Sequence, residues 1–139
     1  MSTIPTIKHF KPGDRLYVQA QRIWLILVSF VMSCDRKASR PCTITYGDLA
    51  LRMGYEDRRA GHTLARQLGI VGELCVSNGL PALNAIVVNK DTGVPGDEVL
   101  LREGVTLAQE QRAVMEQDWF ELRVPTSGTF RQVWEASQV

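Results

Sequence analysis

Residues 43–69 read TITYGDLALRMGYEDRRAGHTLARQLG, and the fold class turns on how this stretch is divided. Thr45 followed three residues later by Asp48 matches a capping box, in which a hydroxyl and an acid each satisfy a backbone amide left over at a helix start. The pattern predicts a short helix to about Met53, stopped by Gly54. Asp57 can cap the next helix, which begins near Arg58 and carries Ala60, Leu64 and Leu68 on its buried side until Gly69 ends or interrupts it. Arg59, His62 and Arg66 stand at three- and four-residue steps, so on one helix they share a cationic outer face, with Thr63 and Arg58 beside them.

Downstream, a further helical piece spans about Glu73 to Ser77, Asn78-Gly79 marks a turn, and Ala85 to Val88 has strand composition. Asp91-Thr92-Gly93 then reverses the chain. Gly93-Val94-Pro95-Gly96 lacks the lysine and spacing of a phosphate loop and reads as a wing turn. Short helix, turn, polar helix, strand and turn is the order of a winged helix-turn-helix, whose second helix enters the DNA major groove. Residues 43–96 form that expected unit.

Upstream, residues 1–13 read as an extended arm, because Pro5 and Pro12 remove backbone donors and Pro12-Gly13 is turn chemistry. Asp14 can cap a core helix through about Asp35, on which Leu16, Ala20, Ile23, Trp24, Leu27, Val28 and Val31 recur at helical spacing. Leu25, Ile26 and Phe30 widen that stripe, so the helix is either buried on two sides or packed on a second copy as a homodimer. The unit 14–38 closes in a polar run with Arg36, Lys37 and Arg40, an exposed loop able to touch phosphate. Beyond residue 96, Thr106 to Trp119 is helical in pattern, with Leu107, Val114, Met115 and Trp119 inward. Pro125 to Gly128 breaks the chain, and Phe130, Val133 and Trp134 are apolar enough to dock the tail. The expected class is α+β and mostly helical: one domain over 1–139, with a winged helix-turn-helix-like core, a long N-terminal core helix, and a C-terminal helix and tail over 97–139.

Composition narrows the function. The longest apolar stretch, Ile23 to Met32, is half of what a membrane span requires. The N-terminus lacks signal-peptide organisation, and Cys34, Cys42 and Cys75 have no CxxC spacing, which together predict a cytoplasmic protein with free thiols. His9, His62 and the scattered cysteines give no zinc spacing, so no metal and no cofactor is expected. Glu56 and Asp57 mark a helix start rather than an acid–base pair. Net charge is only +1, but residues 1–96 carry 12 basic against 7 acidic side chains and residues 97–139 carry 4 against 8. That polarity suits a basic binding face with an acidic tail.

Ile44-Thr45-Tyr46-Gly47-Asp48-Leu49-Ala50 resembles the Tyr-Gly-x-Leu/Val-Ala helix opening of O6-alkylguanine-DNA alkyltransferases and alkyltransferase-like proteins. Ala60 to Leu68 lies where that family has its recognition helix, and Asn78 to Val87 is similar to the approach to its Pro-Cys-His-Arg-Val motif. The resemblance covers about two fifths of the chain and implies DNA binding, with Tyr46 contacting the DNA backbone near a flipped nucleotide. It departs where the family's chemistry lies: Ala82 stands for the alkyl-accepting cysteine, Leu83 for the histidine, Asn84 for the arginine, and His62 for the helix arginine. Without sulfur and activating base, alkyl transfer is not expected; alkyltransferase-like proteins also lack the cysteine and bind damaged DNA unrepaired.

The leading expectation is a non-catalytic DNA-binding protein using Tyr46, Arg58, Arg59, His62, Thr63 and Arg66, with Arg36, Lys37, Arg40 and Lys90 as peripheral phosphate contacts. The alternatives are a small protein-interaction module or inhibitor anchored by Trp24, Trp119 and Trp134, and a small thiol enzyme or toxin using Cys75.

Overall fold

The computed structural model describes residues 3–11 and 13–138; the expected Pro12 turn lies outside them. Residues 3–11 form no regular secondary structure, and Ile4, Ile7 and Phe10 are exposed. Helix α1 (Arg15–Met32) is central. Ala20, Ile23, Leu27 and Val31 have no exposed surface, and full burial of one such aliphatic side chain stabilises by roughly 1.5–3 kcal/mol. Asp14 does not cap α1 with its side chain. Its carboxylate instead pairs with Arg131 of the last helix, so a long-range cation displaces the local amide. α1 packs against other helices of the chain, while Ile26 and Phe30 are half-buried and Leu25 stays exposed.

Strand β1 (Ile44–Thr45) leads directly into α2 (Tyr46–Arg52). Thr45 Oγ1 accepts from the Asp48 amide at 3.1 Å, but the reciprocal half of the expected capping box is missing, because the Asp48 carboxylate turns to Arg58. The single helix expected from Arg58 to Leu68 is in fact two pieces: a 3-10 turn (Arg58–Thr63) and, after Leu64, helix α3 (Ala65–Ser77). Asp57 tightens the turn by accepting from the Arg59 amide at 2.8 Å. Gly69 does not interrupt α3. The helix runs through it to Ser77.

Of the strand expected over 85–88, only β2 (Val87–Val88) is extended; Leu83–Ile86 is a second 3-10 turn, held by the Ala85 amide on the Ala82 carbonyl. β2 pairs with β1 in parallel, Ile44 opposite Val87, and so closes a crossover around α2 and α3. The reversal at 89–94 is pinned by the Asn89 amide on the Val94 carbonyl at 2.9 Å, and no strand follows it among the described residues. A wing made of a β-hairpin is therefore not formed there. The molecule is α+β and mostly helical, as expected.

Helix α4 (Leu107–Glu116) opens on a complete capping box between Thr106 and Gln109. It stops before Trp119, which sits in its own short 3-10 turn. Helix α5 (Ser127–Ser137) docks the tail through fully buried Phe130. Trp24 and Trp119 meet edge to face at 5.5 Å, and both are core residues. No helix among the described residues is long and apolar enough to cross a membrane.

A buried ion pair ties the loop before α4 to the core. Glu110, fully buried, accepts from Arg102 Nη2 at 2.8 Å, Nε at 3.0 Å and the Arg102 amide at 3.2 Å. Burial alone would raise its pKa, but the Arg102 side chain and the amides of Arg102 and Ala82 outweigh this and hold the carboxyl below its usual value. A depressed folded pKa gives stability that is fully present above the unfolded value of about 4.3 and lost as pH falls through the folded one. Urea midpoints should therefore drop as pH falls from about 5 to 3, and Glu110→Gln should flatten that slope; an unchanged slope would contradict this role.

Candidate functional site

Between the first turn of α2, the 3-10 turn 58–63 and the reversal after β2 lies an open cleft of about 360 Å³. Tyr46, Arg58, Arg59, His62 and Lys90 all line it, together with Asp48, Asn89 and Asp91. Five residues singled out from the sequence thus meet at one place, drawn from three separate segments. A smaller cavity of about 140 Å³ adjoins it, sharing Tyr46, His62 and Asn89 and reaching Ala65 at the start of α3.

Tyr46 organises this corner. Its hydroxyl donates to Glu98 Oε1 and accepts the Gly96 amide at 2.8 Å. Burial first, then the hydrogen bond to Glu98, raises the phenol well above its ordinary pKa, so it stays a donor. Donation from this hydroxyl to a DNA phosphate would require releasing Glu98. On the other side of the ring, Gly61 packs against the Tyr46 backbone so closely that a Cβ would lie 2.5 Å from the carbonyl oxygen. Only glycine fits there.

The cations of the cleft are partly spoken for. Arg58 pairs with Asp48, and Arg59 with Asp57 at 2.7 Å. Hydrogen bonds from the Arg59 side chain and amide lower the Asp57 pKa, while the same side-chain bond raises that of Arg59. All four side chains are about half exposed or more, and exposed pairs of this kind contribute little to stability. Lys90 has no ion-pair partner among the described residues. α3 begins with no side-chain cap, because Leu64 at its N-cap position has no polar group, and the neighbouring Thr63 hydroxyl donates backwards to the Ala60 carbonyl at 2.6 Å.

The break at Leu64 separates Arg66 from the expected face. Its guanidinium stacks over Trp134 of α5, 5.2 Å from the ring centroid, and it does not line the cleft. Nor do Arg36, Lys37 and Arg40, whose loop is held by Arg112 donating to the Ala38 and Ser39 carbonyls at 3.0 and 3.1 Å. Sequence reasoning missed Asp48 and Glu98 as partners of site residues, and no local pattern marks either. Ala82, Leu83 and Asn84 are fully buried. So is Cys75, whose thiol is pushed up to about 12 by burial; a sealed, protonated sulfur is a poor nucleophile.

No family model matches the chain, and neither the search of curated proteins nor that of solved structures returns a match. The similarity to alkyltransferases therefore rests on the residues quoted above.

The close approach of Gly61 to Tyr46 makes a specific demand. Gly61→Ala should destabilise the fold by roughly 1–3 kcal/mol through overpacking, read as a lower urea midpoint; a change within about 0.5 kcal/mol, the range of an inert surface substitution, would mean that the turn is not held by this contact.

Proposed function

We propose that this chain is a non-catalytic DNA-binding protein whose contact with the phosphate backbone centres on the cleft between the 3-10 turn 58–63 and the reversal at 89–94. The observation that carries the reading is the convergence of Arg58, Arg59, His62 and Lys90, from two separate segments, on one open surface. Their arrangement beside the uncapped start of α3 adds the positive end of a helix dipole, and free first-turn amides there suit an anion. On this reading α2, the turn and α3 act as a helix-turn-helix, with the reversal at 89–94 in place of a stranded wing.

Phosphate can replace the carboxylates of Asp48 and Asp57 on the two arginines, because exposed pairs are cheap to exchange and a guanidinium binds phosphate in the same forked geometry. Burial of Ala82, Leu83 and Asn84 favours recognition of ordinary duplex over alkyltransferase-like recognition of a lesion, since a flipped base needs an open pocket. Fluorescence anisotropy over a salt series tests both points. Each phosphate contact adds about 0.9 to the logarithmic salt slope, so the triple substitution of Arg58, Arg59 and Lys90 by Ala should weaken duplex binding and reduce the slope by roughly 2–3. Plain and O6-alkylguanine duplexes should bind alike. An unchanged slope would overturn the assignment.

A second reading, capture of a protein partner, is favoured by one feature: Trp134 lies on an apolar groove with Ile70, Val133 and the exposed Leu100. Absence of any DNA binding at low salt, with partner capture abolished by Trp134→Ala, would move the assignment there.

A further inference from the structure

A second concave site lies at the opposite end of α2 from the cleft. It has a volume of about 370 Å³ and is walled by the start of α1, the end of the N-terminal arm and the Met53–Tyr55 turn. Its charge is one-sided. Lys11, Arg15 and Arg22 line it, no carboxylate does, and none of the three cations makes an ion pair among the described residues. In the cleft, by contrast, both arginines carry carboxylate partners. Arg15 and Arg22 are seven residues apart, two turns of α1 on one face, with about 10 Å between their backbone positions. Long side chains can close on a group placed between them.

The floor of this pocket is an ordered relay of donors. Gln67 Nε2 donates to Gln19 Oε1 at 2.6 Å, and Gln19 Nε2 donates to the Tyr55 hydroxyl at 2.7 Å. Both glutamines are buried, while Tyr55 lines the pocket. Having accepted from Gln19, the phenol has its own proton left to give, and no described residue accepts it. Hydrogen bonds in series polarise one another, so the relay presents Tyr55 as a strengthened donor between the two arginines. Asp14, beside Arg15, is drawn away by Arg131, and Glu56, which follows Tyr55, does not line the pocket.

We propose that this pocket is an anion site that takes a pyrophosphate group, either free or as part of a nucleoside diphosphate. Arg15 and Arg22 clamp the two phosphoryl groups, Lys11 supplies a third positive charge, and Tyr55 donates to a phosphate oxygen. The exposed ring of Phe10 at the rim offers a stacking surface for a base, which free pyrophosphate would leave unused. This site is independent of the DNA-binding reading and shares no residue with the cleft.

Isothermal titration calorimetry of the full chain at low ionic strength, with sodium pyrophosphate, adenosine diphosphate and adenosine as separate titrants, tests the assignment. Saturable one-to-one binding of the first two and none of adenosine is expected. Tighter binding of the diphosphate than of pyrophosphate would identify a nucleotide as the source, and equal affinity the phosphate group alone. The double substitution of Arg15 and Arg22 by Ala should weaken either ligand by about tenfold or more, one charge-assisted hydrogen bond being worth at least that factor. Tyr55→Phe should weaken it by a few-fold, and the Arg58, Arg59 and Lys90 triple variant should bind as the wild type does. No saturable binding of pyrophosphate or diphosphate, or an affinity unchanged in the Arg15/Arg22 variant with its circular dichroism intact, would overturn the proposal.

Discussion

The geometry of the cleft depends on the backbone of Tyr46. Gly61 sits where a methyl group would come within 2.5 Å of the Tyr46 carbonyl, which fixes the 3-10 turn against the first turn of α2. The same residue's hydroxyl accepts the Gly96 amide and donates to Glu98, fixing the far end of the 89–96 reversal. Gly96 lies against the same pair, since a Cβ there would meet Glu98 Oε2 at 2.6 Å and the Tyr46 hydroxyl at 3.1 Å. Two glycines and one tyrosine thus hold two loops in register, and Arg58, His62 and Lys90 inherit their positions from that contact. Loops positioned by a rigid scaffold are where binding residues concentrate.

Behind this corner the core is mostly apolar, with a few buried polar side chains. Gln111 donates to the Ala85 carbonyl at 2.9 Å, near the end of the short 3-10 turn, and Asn84 to the Leu68 carbonyl within α3 at 3.0 Å. Gly72 makes room for Asn84, whose amide lies 2.4 Å from where a Cβ would be. The segment resembling the alkyltransferase motif is therefore built into the core as a structural joint. Electrostatics divides the surface differently: the cleft carries arginines that are already paired, whereas the pocket at the start of α1 carries cations that are not. The first arrangement suits a partner that competes for arginines, the second a small, highly charged one.

Much of the scaffold was legible in the residues. The spacing of Ala20, Ile23, Leu27 and Val31 marked α1, and Trp119 and Phe130 were correctly read as inward. What escaped was decided by contacts distant in sequence. Asp14 and Asp48 stand where capping residues belong, yet both carboxylates serve arginines elsewhere, Arg131 and Arg58. The break at Leu64 comes from the Gly61 contact with Tyr46, fifteen residues away, which a helical pattern cannot register, and it is what sends Arg66 to Trp134. Trp24 and Trp119, anchors only under the protein-interaction alternative, pair in the core where their helical spacing puts them. Arg15 and Arg22 drew no expectation from the sequence, because only the fold brings the Met53–Tyr55 turn against them.

The most direct test of the central claim is amide chemical-shift mapping of the labelled chain titrated with a short plain duplex. The account predicts that the largest changes cluster on Thr45–Asp48, Arg58–Thr63, the first turn of α3 and Asn89–Asp91, the segments that meet at the cleft. Changes confined to other surfaces, or none at saturating duplex, would contradict it.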